Sequence, residues 1–161
     1  MHRIYGAMII TALTHLLAEQ GALYTLTHVD TVPAWITRGI HQIFLLLFLV
    51  LFCEVYLYIP AMIADETKEP IKKSNWILFP FALSTVGVLV LPIYYKHEEA
   101  ASYSYGPGII AVYISVYILA ITAVTYMIRF REIIPLKKKN AIAISLICEV
   151  GVGVYQVFHP T

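Results

Sequence analysis

Residues 33–64 read PAWITRGIHQIFLLLFLVLFCEVYLYIPAMIA, a run whose formal charges are Arg38 and Glu54 alone. An α-helix rises about 1.5 Å per residue, so roughly 20 residues cross about 30 Å of hydrocarbon. This run is longer than a span needs and predicts a transmembrane helix that tilts or extends into the interface. Outward from it, four more runs meet the length requirement, approximately 4–26, 75–95, 107–130 and 140–158. Pro33 and Pro107 suit first-turn positions, where the missing amide hydrogen costs little. The first run continues through His15, Glu19 and Gln20 without an A-x-A-like cleavage site, so it reads as a retained span and not a signal peptide.

Composition agrees. The 161 residues are 60% hydrophobic and 13% charged, with a mean hydropathy of +0.76, above the apolar share of about 45–50% usual in soluble domains. The expected fold is all-α, a polytopic membrane bundle of about five helices forming a single domain over 1–161. Cys53 and Cys148 both lie inside apolar runs and read as core-packing thiols. Gly87, Gly151 and Gly153 read as close-packing positions between helices. No repeat of 20 to 50 residues and no inverted-repeat correspondence is evident.

Basic residues orient the bundle. If five helices alternate, Arg3, Lys68, Lys72, Lys73, Arg129, Arg131, Lys137, Lys138 and Lys139 fall on one side, against Arg38 and Lys96 on the other. The positive-inside rule puts the amino terminus in the cytoplasm and His159, Pro160 and Thr161 outside. An ending outside the fifth helix carries the expectation of a further span beyond residue 161. The charged turns 65–73 and 129–139 read as a headgroup-facing cytoplasmic rim. The outer segment 96–107, with Tyr103, Tyr105 and a Gly106-Pro107 turn, reads as an interfacial tyrosine belt or an outer lid.

Ionisable groups inside a span are costly, about 2.5–3.5 kcal/mol at the centre on insertion scales, so each needs a partner or a wet cavity. His15 and Glu19, four apart, share a helical face and can pair. With Glu19, His41 and Gln42 in the outer half, His15 nearer the middle and Gln156 near the outer end of the fifth helix, these five side chains are expected to line an outward-opening ligand pocket. Glu54 and Glu149 sit deeper as intramembrane acids. Interhelical hydrogen bonding, a metal site of His15, Glu19 and His41, and a bis-histidine haem on His15 and His41 are other readings of the same residues. The H-x-x-x-H and E-x-x-H spacings that would favour a metal are missing, so neither metal nor cofactor is expected. G-x-S-x-G, H-E-x-x-H and Walker motifs are also missing, so no catalytic residue is assigned.

Several short stretches, taken in order, carry a family resemblance. Pro33-Ala34-Trp35 precedes His41-Gln42-Ile43-Phe44 and Tyr56-Leu57-Tyr58; then come Tyr103-Ser104-Tyr105-Gly106-Pro107-Gly108, a Lys-rich turn before Asn140-Ala141-Ile142, and Tyr155-Gln156-Val157-Phe158-His159-Pro160. Together they resemble the amino-terminal membrane region of bacterial GGDEF-type diguanylate cyclases, and similar regions precede histidine kinases. The resemblance implies a sensor or anchor role in the bacterial inner membrane. The GGDEF domain itself is absent, so no cyclase residue carries over. The expected partners are the lipid bilayer, a small ligand, ion or proton, and a second copy in a homodimer; nucleic acid is not expected. Two other classes remain open: a small channel or carrier with Glu54 and Glu149 as waypoints, and a structural subunit using the tyrosine-rich helix from Tyr113 to Tyr126 as an interface.

Overall fold

The structure, a computed structural model, describes residues 2–68, 78–97 and 102–158. Among the described residues the chain is mostly helical, with five helices and one hairpin: α1 (His2–Thr27), α2 (Ala34–Thr67), α3 (Leu78–Val90), β1 (Tyr94–His97), β2 (Ser102–Tyr105), α4 (Pro107–Arg129) and α5 (Leu136–Phe158). Two of the helices, α2 and α4, are long and apolar enough to cross a membrane.

α1 and α2 form an antiparallel pair at a steady register. Tyr5 meets Tyr58 with ring centroids 6.3 Å apart, Thr11 meets Glu54, and His15 meets Phe48. Gly21 closes the pair, since a Cβ there would lie 3.4 Å from the Ile40 side chain. The buried stripe of α2 recurs at helical spacing through Thr37, His41, Leu45, Leu49, Phe52 and Tyr56, and packs on α3 and α4. Val88, Val112, Val116, Leu119, Ala120 and Ala123 complete that core. Pro33 stands at the N-cap of α2, one position before the first-turn place expected for it.

Small and hydroxylated residues join α3 to α4. Ser84 Oγ donates to the Ala111 carbonyl at 2.6 Å and lies 2.6 Å from Ser115 Oγ, which donates to the Pro80 carbonyl at 2.8 Å. Gly87 brings the backbones close, because a Cβ there would meet Ala111 Cβ at 3.3 Å. Gly151, by contrast, faces open space, so it is not the close-packing position expected. Cys148 likewise is exposed whereas Cys53 is buried, and both thiols are free.

Helix α3 stops at Val90, five residues before the expected boundary at Tyr95. Pro92 has no N–H to return to the Val88 carbonyl, so the helical ladder ends and the chain enters a strand. The strands pair antiparallel with Tyr94 opposite Tyr105, Tyr95 opposite Ser104, Lys96 opposite Tyr103 and His97 opposite Ser102. The segment read as a belt or lid is thus, in its described part, a β-hairpin lying over the same end of α1 and α4. Gly106 returns the chain to α4 at φ 123° and ψ 177°, and a Cβ there would be 2.9 Å from the Pro92 carbonyl oxygen. Pro107 then occupies the first turn of α4, as expected.

At the opposite end, Lys68 closes α2 in the left-handed conformation at φ 59°. Helix α5 begins directly after Pro135, four residues earlier than expected, and packs on α4. Lys138 of α5 donates to Glu66 of α2 at 3.0 Å. That carboxylate holds the Lys138 ammonium above the ordinary lysine pKa.

Candidate functional site

The most distinctive polar cluster lies where α2 begins, beneath the hairpin. Thr37, Arg38, His41 and Gln42 occupy little more than one turn of α2, so they project around one level of the bundle. Thr37 is fully buried and His41 is 3% exposed. His41 donates from Nδ1 to the Thr37 carbonyl at 3.1 Å; a carbonyl can only accept, so Nδ1 carries the proton and Nε2 presents a lone pair. Tyr95 of β1 closes over this imidazole edge-on, at a centroid distance of 4.9 Å.

The hydroxyls around His41 are unpaired. Thr37 Oγ1 and the Tyr95 hydroxyl are both buried without a hydrogen-bond partner. Burying a hydroxyl unpaired costs about 1–3 kcal/mol, so these two are polar groups whose hydrogen-bonding capacity the fold leaves unused. Tyr95 lies beyond the end of α3, and burial pushes its phenol above the ordinary tyrosine pKa, with the exposed Arg38 charge opposing. It therefore stays a hydrogen donor at neutral pH. Arg38 adds one positive charge at the rim. Chemically, His41 Nε2 is an acceptor while the Tyr95 hydroxyl, the Thr37 hydroxyl and the Arg38 guanidinium are donors.

Gln42 has a different task. Its side-chain amide donates to the carbonyls of Val88 at 2.9 Å and Leu89 at 3.3 Å. The first of these is the acceptor that Pro92 leaves open, so Gln42 fastens α3 to α2.

The other expected site residues fall elsewhere. His15 is half-buried on α1, stacked on Phe44 at 5.0 Å and on Phe48 at 5.4 Å, with a buried Nε2 that has no hydrogen-bond partner. Glu19, one turn further along α1, is within electrostatic reach of it. His15 sits opposite residues 44 to 48 of α2, about 7 Å along the axis from His41, so the two imidazoles do not converge on one ligand. Glu54 accepts from Thr11 Oγ1 at 3.2 Å while its Oε2 is buried without a partner. The side chains of Gln156 and Glu149 lie outside the described residues. Their helix α5 packs on α4. Of the five side chains expected to form one pocket, the four that are described separate into His41 beside Tyr95, Gln42 fastening α3, and the His15–Glu19 pair on α1, and Gln156 lies outside the described residues.

Among the described residues no group of three or more His, Cys, Asp or Glu side chains is placed to hold a metal ion. Tyr95 and Thr37 escaped the sequence reading. Tyr95 had been placed within a helix, and a lone threonine in an apolar run carries no signal of its own. Tyr113 and Tyr117 stack on each other at 6.5 Å and are half-buried, which leaves little of them for an interface. No family model, curated protein or solved structure matches the chain.

Proposed function

We propose that this chain is the membrane-embedded input module of a bacterial signalling protein, a five-span bundle in the inner membrane with its amino terminus in the cytoplasm and its hairpin outside. The observation that carries the sensory reading is the cluster of Thr37, His41 and Tyr95, in which two buried hydroxyls have no hydrogen-bond partner beside an imidazole fixed through Nδ1. The membrane reading is supported by what faces outward. Ile10, Leu17, Val90, Ile121 and Ile147 are each at least 66% exposed, while Ser84, Ser115, Thr37 and His41 are buried. Large apolar residues outside and small or polar ones between helices suit a lipid solvent. The Lys137–Lys139 run and the Lys68 cap lie at the end away from the hairpin, as the positive-inside rule requires.

Ligand binding would draw Tyr95 and α2 together. Because Gln42 ties α2 to α3 one residue from His41, a ligand held by this cluster favours one packing of the bundle over another, to the extent that it prefers that packing. The resemblance to regions that precede GGDEF cyclases agrees with this role. The test uses a chimera carrying a diguanylate cyclase output and the Thr37→Val and Tyr95→Phe variants. Thr37→Val removes an unpaired buried hydroxyl at constant shape, so the ligand-free protein should unfold no lower than wild type while the chimera's signal response disappears. Chimeras of both variants that respond like wild type would overturn the sensory reading.

A second reading is favoured by one observation, the Thr11–Glu54 contact with its unpartnered Oε2 one turn from the unpartnered His15 Nε2. These groups line the α1–α2 seam in a row and suit a proton path. Proteoliposome flux that is lost in Glu54→Gln, with the chimera response intact, would favour a carrier over the sensor.

A further inference from the structure

At the end remote from the hairpin, α1, α2 and the start of α5 enclose a cleft of about 400 Å³. Its floor is apolar, formed by Tyr5 and Met8 of α1, Tyr58 of α2 and Ile142 of α5, while Lys137 and Lys138 stand at its rim. The two ends of the cleft therefore differ in chemistry. Toward the bundle centre there is only hydrocarbon and aromatic surface; toward the chain end there is positive charge. Lys138 is engaged by Glu66 at 3.0 Å and lies within reach of Asp65, which is itself 3.9 Å from Lys68, whereas Lys137 is exposed, so Lys137 supplies the uncompensated positive charge of the lining.

An apolar slot closed by lysines matches an amphiphile with an acidic head. Water gains nothing from the floor, and a free anion would leave it empty. The size lies within the range of about 300–1,000 Å³ typical of small-molecule sites. Basic pockets between helices at the cytoplasmic membrane surface are suited to acidic lipid headgroups.

We infer that this cleft binds one anionic phospholipid, with an acyl chain between α1 and α5 against Met8 and Ile142 and the phosphate at Lys137. The inference rests on the membrane reading above but not on the sensory one. Bound in this way, the lipid fills the gap between α5 and the α1–α2 pair, so α5 is held to the bundle by a molecule of the inner leaflet.

The experiment is native mass spectrometry of the full chain released from micelles containing equal amounts of phosphatidylglycerol and phosphatidylcholine. A parallel thermal-shift series adds either lipid, or inorganic phosphate. Wild type should retain phosphatidylglycerol selectively and be stabilised by it, with no effect of phosphate alone. Lys137→Ala, at an exposed position that leaves the fold intact, should lower that retention about fivefold, the effect of one surface lysine on acidic lipid. Met8→Trp fills the slot with the lysines unchanged and should abolish selective retention. Equal retention of the two lipids, stabilisation by inorganic phosphate equal to that by phosphatidylglycerol, or undiminished retention in Lys137→Ala would each overturn the inference. Carbonate extraction of cell membranes tests the membrane reading separately: a chain released by carbonate fails that reading, whatever it retains in micelles.

Discussion

Gly106→Ala tests the joint that holds the hairpin, and with it Tyr95, over His41. Gly106 sits at φ 123° and ψ 177°, a region essentially reserved for glycine, where another residue costs about 1–3 kcal/mol in backbone strain. An added Cβ also falls 2.9 Å from the Pro92 carbonyl oxygen and 3.0 Å from the Tyr94 ring. The first of these is backbone and cannot rotate aside, so relief requires the hairpin to lift from α4, an overpacking cost of about 1–3 kcal/mol. Because one shift partly relieves both, the combined destabilisation is about 3 kcal/mol, which for a domain of this size lowers the melting temperature by roughly 6–12 °C. Far-UV circular dichroism of thermal unfolding in a single detergent measures it. Gly6→Ala and Gly39→Ala are the controls, since nothing lies within 4 Å of a Cβ at either, and both should be neutral or slightly stabilising. If Gly106→Ala melts with these controls, the hairpin is not seated on α4 through this residue and Tyr95 is not held over His41 by it.

Three further outcomes follow from the packing. Gln42→Leu strips the Val88 and Leu89 carbonyls of their donor and should destabilise by about 1–2 kcal/mol, with faster amide hydrogen exchange at the end of α3. Ser84→Ala should cost about 1 kcal/mol, and the Ser84→Ala, Ser115→Ala double variant less than the sum of the singles, because the two hydroxyls share one network; a thermal-unfolding double-mutant cycle reads this. Glu66 raises the Lys138 pKa, so the stabilisation from this pair is fully present below the ordinary lysine range and is lost as pH rises through the raised value. Both side chains are about one-third exposed, so the effect is small. The melting-temperature gap between wild type and Glu66→Gln should be steady around neutral pH and close in strong alkali.

The helices were legible because apolar runs bounded by Pro and charge leave few alternatives, and α2 and α4 fall within a few residues of the runs read from sequence. The third run was misjudged at its end for a local reason. Tyr94 and Tyr95 are apolar enough to prolong a hydrophobic run, whereas Pro92 denies the helix a donor three residues before Tyr95. The hairpin followed from that break and was invisible to a hydropathy reading. His41 was marked as functional by its cost in an apolar run, a signal that residue type alone carries. Its partners were not marked, since Tyr95 comes from another element and Thr37 is distinguished only by lacking a hydrogen-bond partner, a property of the packed state. Depth alone grouped His15 with His41; the α1–α2 register, set by Tyr5 on Tyr58 and Gly21 on Ile40, separates them.

Helix α2 touches α1, α3 and α4, and it carries both the His41 contact with Tyr95 at one end and the Glu66 contact with α5 at the other. Each residue turns such a rod by about 100°, so one residue inserted between His41 and Tyr56 would swing His41 away from Tyr95 while Glu66 kept its place, or the reverse. The 28–33 turn imposes no such phase. Descendants of this chain are therefore expected to vary in length at that turn and to keep α2 at a constant residue count, a molecular ruler whose divisions cannot be redrawn one at a time.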